Sequence, residues 1–205
     1  MKLLITAADS LVGGLLCQRL ATGHEVVPVG FSAEVDMAHY RRMDLLQQDL
    51  VEEQLQDIDT IVHALPYVAA LGEGDQREQE LLDTVARATY VLVTAACNAK
   101  VRRLVLISRL DLFRTYDERF IITTEWQPQP EANAESLAPY MAELVGREVA
   151  RTGKIEVVAL RFGNLGVETT EDEAVAAVEQ ALDEELRGSY HWSVKHIASS
   201  GRFVR

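Results

Sequence analysis

Short apolar runs alternate with longer segments of helical periodicity along the chain. Apolar runs of about four to eight residues are typical of buried strands, whereas apolar residues at helical spacing indicate one buried face of a helix. The predicted strands are 2–6, 25–30, 59–65, 102–108, 155–162 and 191–198. The predicted helices are 11–21, 77–98, 139–152 and 172–186.

This alternation predicts an α/β fold, a Rossmann-like doubly wound parallel sheet in a three-layer α/β/α arrangement. The last strand alternates apolar and polar residues, so we expect it at an edge of the sheet. Residues 109–138 contain two prolines and few periodic apolar positions, which favours a long loop. A length of 205 residues fits one domain with a sizeable core.

Composition and charge narrow the classes of partner. The formal net charge of −12 argues against nucleic acid and against an anionic membrane surface as general partners. Cys17 and Cys97 fall inside helical patterns, which favours buried thiols over a disulfide or a metal pair. Asp9 and Ser10 interrupt the first apolar run too early for a signal peptide. We therefore expect a cytoplasmic protein without a metal site.

The stretch "LLITAADSLVGG", residues 3–14, has the pattern of a nucleotide-binding turn between a strand and a helix. In such a turn three glycines permit the tight bend, the approach of the pyrophosphate, and close packing of the helix on the strand. Ala7 and Ser10 hold the first two positions, and Gly13 holds the third. The helix N-terminus at Leu11 still offers N–H groups to a phosphate, although Asp9 places a negative charge nearby. The alternative is that Asp9 or Ser10 only caps the helix.

Five motifs in order make the chain resemble the extended short-chain dehydrogenase/reductases, in the branch called the NAD-dependent epimerase/dehydratase family. They are the first turn followed by "GHEV", then "MDLLQQD" with "DIDTIVHAL", "VRRLVLIS", "ESLAPYMAELVGREV" and "VVALRFGNLGVE". The resemblance implies a single NAD(P)-binding Rossmann-like domain over 1–205. It also implies that region 165–205 is a reduced form of the C-terminal substrate lobe that full-length relatives carry.

The resemblance also implies where a dinucleotide would lie, across the carboxyl ends of the strands. The implied cofactor-binding residues are Ala7, Ser10, Leu11 and Gly13 at the first turn, Asp44 and Leu45 beside the adenine, and His63 and Ala64 beside the ribose and pyrophosphate. The alternative is that Asp44 caps a loop and that His63 is a hydrogen-bonded core histidine.

The end of the second predicted strand bears on the choice between NAD and NADP. The sequence there, Gly30-Phe31-Ser32, lacks an acid that would bind the ribose 2′-hydroxyl. Arg41 and Arg42 could meet a 2′-phosphate, although surface arginines are usually only solvated. The cofactor is therefore expected to be NADP or NAD, with a slight preference for NADP.

In the family that the chain resembles, a tyrosine transfers the proton, a lysine lowers its pKa, and a serine or threonine orients the substrate. The tyrosine position holds Tyr140, but the lysine position holds Leu144 and the hydroxyl position holds Arg109. A free tyrosine titrates near pH ~10, so it needs a nearby cation to act as a base near neutrality. Arg109 is the candidate cation. The alternative is that Tyr140, expected to begin a helix after Pro139, only packs.

Three functions stay open at this point. The first is a nucleotide-binding member without the family's Tyr–Lys catalysis, a pseudoenzyme that serves as a regulatory or partner domain. The second is an active NAD(P)-dependent oxidoreductase or sugar-nucleotide epimerase with an atypical active site, which binds a small-molecule ligand. The third is a structural homodimer module that pairs through helices 77–98 and 139–152, as family members commonly do.

Overall fold

The computed structural model describes residues 1–33, 35–65, 73–186 and 190–204. The strands are β1 (Lys2–Ile5), β2 (Glu25–Gly30), β3 (Arg41–Arg42), β4 (Thr60–Ala64), β5 (Arg103–Arg109), β6 (Glu156–Phe162) and β7 (Trp192–Ile197). The helices are α1 (Leu11–Leu20), α2 (Gln48–Gln54), α3 (Gly74–Leu81), α4 (Ala88–Asn98), α5 (Ala134–Ala150) and α6 (Glu171–Asp183). A π-helical segment, Leu82–Arg87, joins α3 to α4.

The seven strands form one sheet in the order β3-β2-β1-β4-β5-β6-β7, and every pair is parallel. The strand order reverses between β1 and β4, which is the switch point where α/β sheets of this kind bind ligands. The parallel, doubly wound sheet and the edge position of β7 confirm the predictions. The short strand β3 and the helix α2 were not predicted, because neither has a long periodic pattern.

Alternate residues of the strands support two separate helical layers. Leu3 and Ile5 of β1 pack in the cluster that contains α1 and α6, whereas Leu4 packs in the cluster that contains α2, α4 and α5. This division follows from the two-residue period of a strand, which sends successive side chains to opposite faces. Both cores extend to the carboxyl edge of the sheet, so the loops at that edge rest on a rigid base.

The structure corrects the predicted start of the helix at 139. Helix α5 begins at Ala134 because the side chain of Asn133 accepts a hydrogen bond from the N–H of Ser136 at 2.9 Å. Pro139 lies inside the helix near its beginning, where its missing N–H costs only one intrahelical hydrogen bond. Tyr140 is therefore an internal residue of α5 and does not begin the helix.

The stretch predicted as the long loop 109–138 is only partly irregular. It contains a 3₁₀ turn, Leu110–Phe113, and the first turn of α5. It also has a small core of its own, in which Leu112, Phe113 and Ile122 are buried. We call this core and the side chains packed on it, Tyr116, Trp126, Tyr140 and Phe203, the aromatic cluster. The apolar area buried in this cluster stabilises the irregular part of the segment.

Candidate functional site

The first turn, residues 6–10, bends tightly although Ala7 and Ser10 stand at the two positions where the sequence pattern leads us to expect glycine. Ala7 has φ +48°, in the left-handed region that disfavours a residue with a Cβ. A Cβ added to Gly13 would lie 2.0 Å from the carbonyl oxygen of Ala7, so α1 approaches the turn as closely as only glycine permits. The tight bend is therefore present, with Ala7 in a strained conformation, and so is the close approach of α1 at Gly13.

Ser10 caps helix α1 from the second glycine position. Its Oγ accepts a hydrogen bond from the N–H of Gly13 at 3.0 Å, and its carbonyl accepts one from Gly14 at 2.8 Å. Within the described ranges, nothing accepts from the N–H groups of Leu11 and Val12. These two donors stand at the positive end of the helix dipole, where an anion is stabilised.

The carboxylate of Asp9 turns away from α1 toward the end of β2. Its Oδ2 accepts hydrogen bonds from the N–H of Phe31 at 2.9 Å, the N–H of Ser32 at 2.7 Å and the hydroxyl of Ser32 at 2.8 Å. A Cβ added to Gly30 would lie 2.4 Å from the other oxygen, Oδ1. The acid that the sequence analysis did not find at the end of β2 is thus supplied from the first turn.

His63 lies beneath the first turn and not on the surface of the site. Its ring is fully buried, with Nδ1 2.8 Å from the hydroxyl of Thr6 and Nε2 2.9 Å from that of Thr89. Burial lowers the pKa of His63 to about 3, so the ring is neutral at physiological pH. Ala64 is also buried. The ring links β1, β4 and α4 and presents no exposed atom to a ribose.

Asp44 and Leu45, the residues expected beside an adenine, have structural contacts. The carboxylate of Asp44 accepts from the N–H of Leu46 at 3.0 Å and from the side chain of Gln47 at 2.9 Å, which caps the loop before α2. Leu45 is buried in the core. These contacts match the loop-cap alternative for Asp44, and they leave the backbone of this loop as the surface that could meet a base.

A cavity of about 700 Å³ lies at the carboxyl ends of β5 and β6, next to the N-terminus of α1. We call it the edge cavity. Its lining includes Leu11, Ser108, Arg109, Asp111 and Asn164. Ser108 is 2% exposed, and its Oγ has no hydrogen-bond partner among the described residues. A buried hydroxyl that lines a cavity without a partner is a group that a bound ligand or a water could satisfy.

The positive charge of Arg109 is balanced within the edge cavity. Its guanidinium forms an ion pair with Asp111, and Arg114 approaches the same carboxylate at 3.9 Å. Burial raises the pKa of Asp111, and the charges of Arg109 and Arg114 oppose that rise. Tyr140 is not among the residues that line the cavity. Arg109 and Asp111 therefore form an ion pair at the wall of the cavity, and the sequence analysis missed the acid.

Tyr140 packs in the aromatic cluster, and the helix turn that follows it carries an acid and a leucine. No hydrogen bond from the described part of the chain reaches the hydroxyl of Tyr140. Glu143, 3% exposed, holds Arg161 of β6 through two hydrogen bonds of 2.8 and 2.6 Å. Leu144 occupies the position four residues after Tyr140, on the same face of the helix.

The Glu143–Arg161 pair also connects the aromatic cluster to β7. The guanidinium of Arg161 lies 5.0 Å from the ring of Phe113 and 3.3 Å from Nε2 of His196. Burial and the charge of Arg161 lower the pKa of His196 to about 4. Sequence reasoning missed this group, and the only signals were a charge on the buried face of a helix and another within the apolar run of β6.

Two further findings concern ligands and membranes. The described residues contain no group of three or more His, Cys, Asp or Glu side chains that could hold a metal ion. None of the described helices has the length and apolar character needed to cross a bilayer. Cys17 and Cys97 are both free thiols, the first buried and the second half-buried.

Comparison with known proteins gives a family match and a set of structural neighbours. The model of the NAD dependent epimerase/dehydratase family matches residues 3–187. A structure of MoeE5 with UDP-glucuronic acid and NAD shares 22% identity and a TM-score of 0.80, covering 97% of this chain and 76% of that one. Uronate dehydrogenase from Agrobacterium tumefaciens shares 20% identity and a TM-score of 0.82, covering 97% and 77%.

A third neighbour is the UDP-glucuronic acid 4-epimerase from Bacillus cereus in complex with NAD. It shares 18% identity and a TM-score of 0.77, with 97% of this chain and 77% of that one covered. No curated protein matches the sequence significantly. At these identities the neighbours establish the fold, and the family match establishes the class of protein.

Proposed function

The chain belongs to the NAD dependent epimerase/dehydratase family, and we propose that it binds a nicotinamide dinucleotide without the family's Tyr–Lys catalysis. In this proposal it serves as a nucleotide-binding regulatory or partner domain. The observation that carries the proposal is the contrast between the first turn, which keeps its donors, and α5, which carries Leu144 where the lysine would stand.

The residues at the switch point fit a dinucleotide. The N–H groups of Leu11 and Val12, which no described residue accepts from, suit a diphosphate, and Gly13 gives the close approach that this binding mode needs. The edge cavity continues from that helix end toward β5 and β6, the side on which the nicotinamide half would lie. When bound, the nicotinamide ring would accept or donate a hydride. Two of the solved neighbours, MoeE5 and the UDP-glucuronic acid 4-epimerase, have NAD bound.

The side chains around Tyr140 do not equip it as a base. A cation beside the phenol would be needed to lower its pKa, and Leu144 supplies neither a charge nor a hydrogen bond. Arg109 is engaged by Asp111, and Arg161 by Glu143. The ring itself contributes to the aromatic cluster, where its role is packing. In this proposal the chain binds a cofactor, and Tyr140 does not act as a catalytic base.

An active enzyme with an atypical site is the second candidate, and one observation favours it. The edge cavity holds Ser108, with its unpartnered hydroxyl, and Asp111, whose pKa is raised by burial. A half-buried carboxyl of raised pKa beside a cavity is a candidate general acid or base. In this alternative Ser108 donates a hydrogen bond to the substrate oxygen and Asp111 moves the proton.

A homodimer is compatible with either function. The outward sides of the helical layer that contains α4 and α5 carry Tyr90 and Met141, which are 56% and 41% exposed, and Leu82 of the π-helical segment is also exposed. Exposed large apolar side chains on adjacent helices favour pairing with a second copy. Sedimentation velocity at two concentrations, with Tyr90→Glu as the variant that would abolish pairing, tests this proposal.

Calorimetric titration with NADH and NADPH, followed by turnover assays with UDP-glucuronic acid and NAD, tests the proposed function. Saturable binding at micromolar concentration with no turnover is the expected result. No binding at millimolar concentration would refute it, as would turnover that Tyr140→Phe abolishes. Turnover that survives Tyr140→Phe but is lost in Asp111→Asn, with Asp117→Asn as the exposed control, would establish the second candidate.

A further inference from the structure

The adenosine end of the site carries an acid that comes from an unusual place. In Rossmann sites the ribose of the adenosine half is recognised at the carboxyl end of the second strand, by an Asp or Glu in that position. Here β2 ends at Gly30, which has no side chain. A Cβ there would lie 2.4 Å from Oδ1 of Asp9 and 2.7 Å from the hydroxyl of Tyr40. The carboxylate of Asp9 fills the space that an acid at position 30 would need.

Hydrogen bonds fix this carboxylate and leave one oxygen available. Oδ2 of Asp9 accepts from both N–H groups of Phe31 and Ser32 and from the Ser32 hydroxyl. Among the described residues, none donates to Oδ1. A carboxylate oxygen held rigidly at the end of β2 is an acceptor suited to the 2′- and 3′-hydroxyls of a ribose, because both hydroxyls are donors.

The same arrangement disfavours a 2′-phosphate. The N–H groups of Phe31 and Ser32 are adjacent backbone donors of the kind that can bind a phosphate, and Asp9 already accepts from both. A fixed negative charge would also repel the added phosphate. Arg41 donates a hydrogen bond to the side chain of Gln54, away from this loop. Among the described residues, Arg42 is the cation that contacts the loop, through a hydrogen bond of 3.2 Å to the carbonyl of Phe31.

We propose that Asp9 is the specificity-determining residue of the adenosine subsite and makes the chain selective for NAD(H) over NADP(H). This inference rests on the proposed function, since it needs a bound dinucleotide. It reverses the slight preference for NADP that the sequence suggested, because that preference assumed that no acid stands at the end of β2. The acid is present, but it lies 22 residues earlier in the sequence than the loop it contacts.

The wild-type protein allows a direct test with fragments of the two cofactors. Calorimetry would compare 5′-AMP with 2′,5′-ADP, and NADH with NADPH. The expected result is at least about tenfold tighter binding of the member without the 2′-phosphate in each pair. Equal binding, or tighter binding of 2′,5′-ADP and NADPH, would overturn the inference while leaving the proposed function intact.

A variant and a matched control assign the effect to one carboxylate. Asp9→Asn removes the charge at the end of β2, and we expect it to lower the NADH-to-NADPH affinity ratio about tenfold. Asp36→Asn removes the same charge from an exposed position of the following loop and should leave the ratio unchanged. If both variants bind with the wild-type ratio, Asp9 is not the determinant.

The possible outcomes distinguish a failure of the inference about Asp9 from a failure of the proposed dinucleotide binding. Failure of all four ligands to bind the wild-type chain would refute the proposed function and the inference together. Binding of NADH and NADPH with a ratio near one would refute the inference alone. Circular dichroism and Tm report whether Asp9→Asn folds. If it does not fold, the wild-type comparison of 5′-AMP with 2′,5′-ADP still decides the question.

Discussion

The first turn (residues 6–10) and the β5–α5 segment (residues 108–144) differ in which atoms supply their chemistry. At the first turn the chemistry comes from backbone N–H groups, and Ala7 holds the path of the missing glycine at φ +48°. In the β5–α5 segment the chemistry depends on side chains, and in our proposal Leu144 and Arg109 stand at the positions that the family resemblance gives to a lysine and a hydroxyl. Backbone donors persist through a change of side chain, whereas no backbone group can take the place of a lysine ammonium.

The two regions also use charge differently. At the first turn, Asp9 is half-buried and retains an oxygen to which no described residue donates. Behind the aromatic cluster, the charges of Glu143 and Arg161 are buried and satisfy each other. A carboxylate with an open acceptor can recognise a ligand, but a buried pair serves the fold. The comparison therefore predicts that charge removal affects binding in one region and stability in the other.

The largest expected effect is on the stability of the β5–α5 segment. Glu143→Gln leaves the guanidinium of Arg161 buried without its counter-charge, so we expect a loss of about 3–5 kcal/mol in the free energy of unfolding. Glu135→Gln is the control on the same helix, because its pair with Arg77 is exposed, at 3.4 Å, and is worth about 1 kcal/mol or less. Urea denaturation measures both. A loss below about 1 kcal/mol for Glu143→Gln would contradict the structural role of the pair.

The next effect acts on the first turn. Gly13→Ala places a Cβ 2.0 Å from the carbonyl oxygen of Ala7, so the turn must shift. We expect a cost of about 1–3 kcal/mol and a loss of NADH affinity of at least about tenfold. Gly23→Ala is the matched control, since no atom lies within 4 Å of its added Cβ. If Gly13→Ala binds NADH like the wild type, the close approach of α1 is not part of the site.

Low pH should protonate one buried histidine beside each region: His63 contacts Thr6 of the first turn, and His196 contacts Phe113 of the β5–α5 segment. Burial lowers the pKa of His63 to about 3 and that of His196 to about 4. Because both values lie below the unfolded value, stability is complete above pH ~6.5 and falls with the pH toward the folded values, by about 1.4 kcal/mol per unit for each proton. The free energy of unfolding measured from pH 7.5 to 4.5 should become less pH-dependent in His63→Gln and in His196→Gln. Unchanged slopes in both variants would contradict this assignment.

A smaller effect of opposite sign is expected at Ala7. Glycine adopts a positive φ without the penalty that alanine meets, so Ala7→Gly should stabilise the chain by up to about 1 kcal/mol. Ala8→Gly is the control, because Ala8 is buried without a positive φ and should lose stability. The double variant with Ala7→Gly and Ser10→Gly also frees the N–H of Gly13 for a phosphate, so we expect it to bind NADH more tightly than the wild type does. A double variant with unchanged affinity would show that these two residues do not limit binding.

The smallest effect concerns Tyr140. Tyr140→Phe removes a hydroxyl that makes no hydrogen bond to a described residue. The free energy of unfolding should therefore change by less than about 0.5 kcal/mol, and turnover should not change. Tyr116→Phe, in the same aromatic cluster, removes a hydrogen bond of 2.9 Å to the carbonyl of Gln127 and should cost about 1 kcal/mol. Turnover that is lost in Tyr140→Phe would contradict the proposal that the β5–α5 segment lacks tyrosine-dependent catalysis.

The sheet could be predicted because it depends on local pattern. Apolar runs such as residues 25–30 and 102–108 locate buried strands within a residue or so, and their alternation with helices determines the parallel sheet. The start of α5 was misplaced because a single capping residue, Asn133, decides it, whereas Pro139 is the stronger sequence signal. Helix boundaries rest on one or two residues, so periodicity does not determine them.

The site was less predictable because its contacts are distant in sequence. Asp9 is 22 residues from Phe31, and Glu143 is 18 residues from Arg161, so neither pair forms a motif. The role of Gly13 was predictable, since the spacing of the turn defines it. The sequence left His63 open between a residue beside the ribose and a hydrogen-bonded core histidine, because its two threonine partners depend on how β1 and α4 meet β4.

Amide NMR of the isotopically labelled chain during an NADH titration tests the central claim most directly, namely that the first turn still binds a dinucleotide. Saturable shifts should be largest at the N–H groups of Leu11 and Val12, the donors at the start of α1 to which no described residue offers an acceptor. The shifts should extend to Ser108 at the edge cavity. Gly23, at the opposite end of α1, should not shift. No change at millimolar NADH, or shifts that avoid the first turn, would contradict the claim.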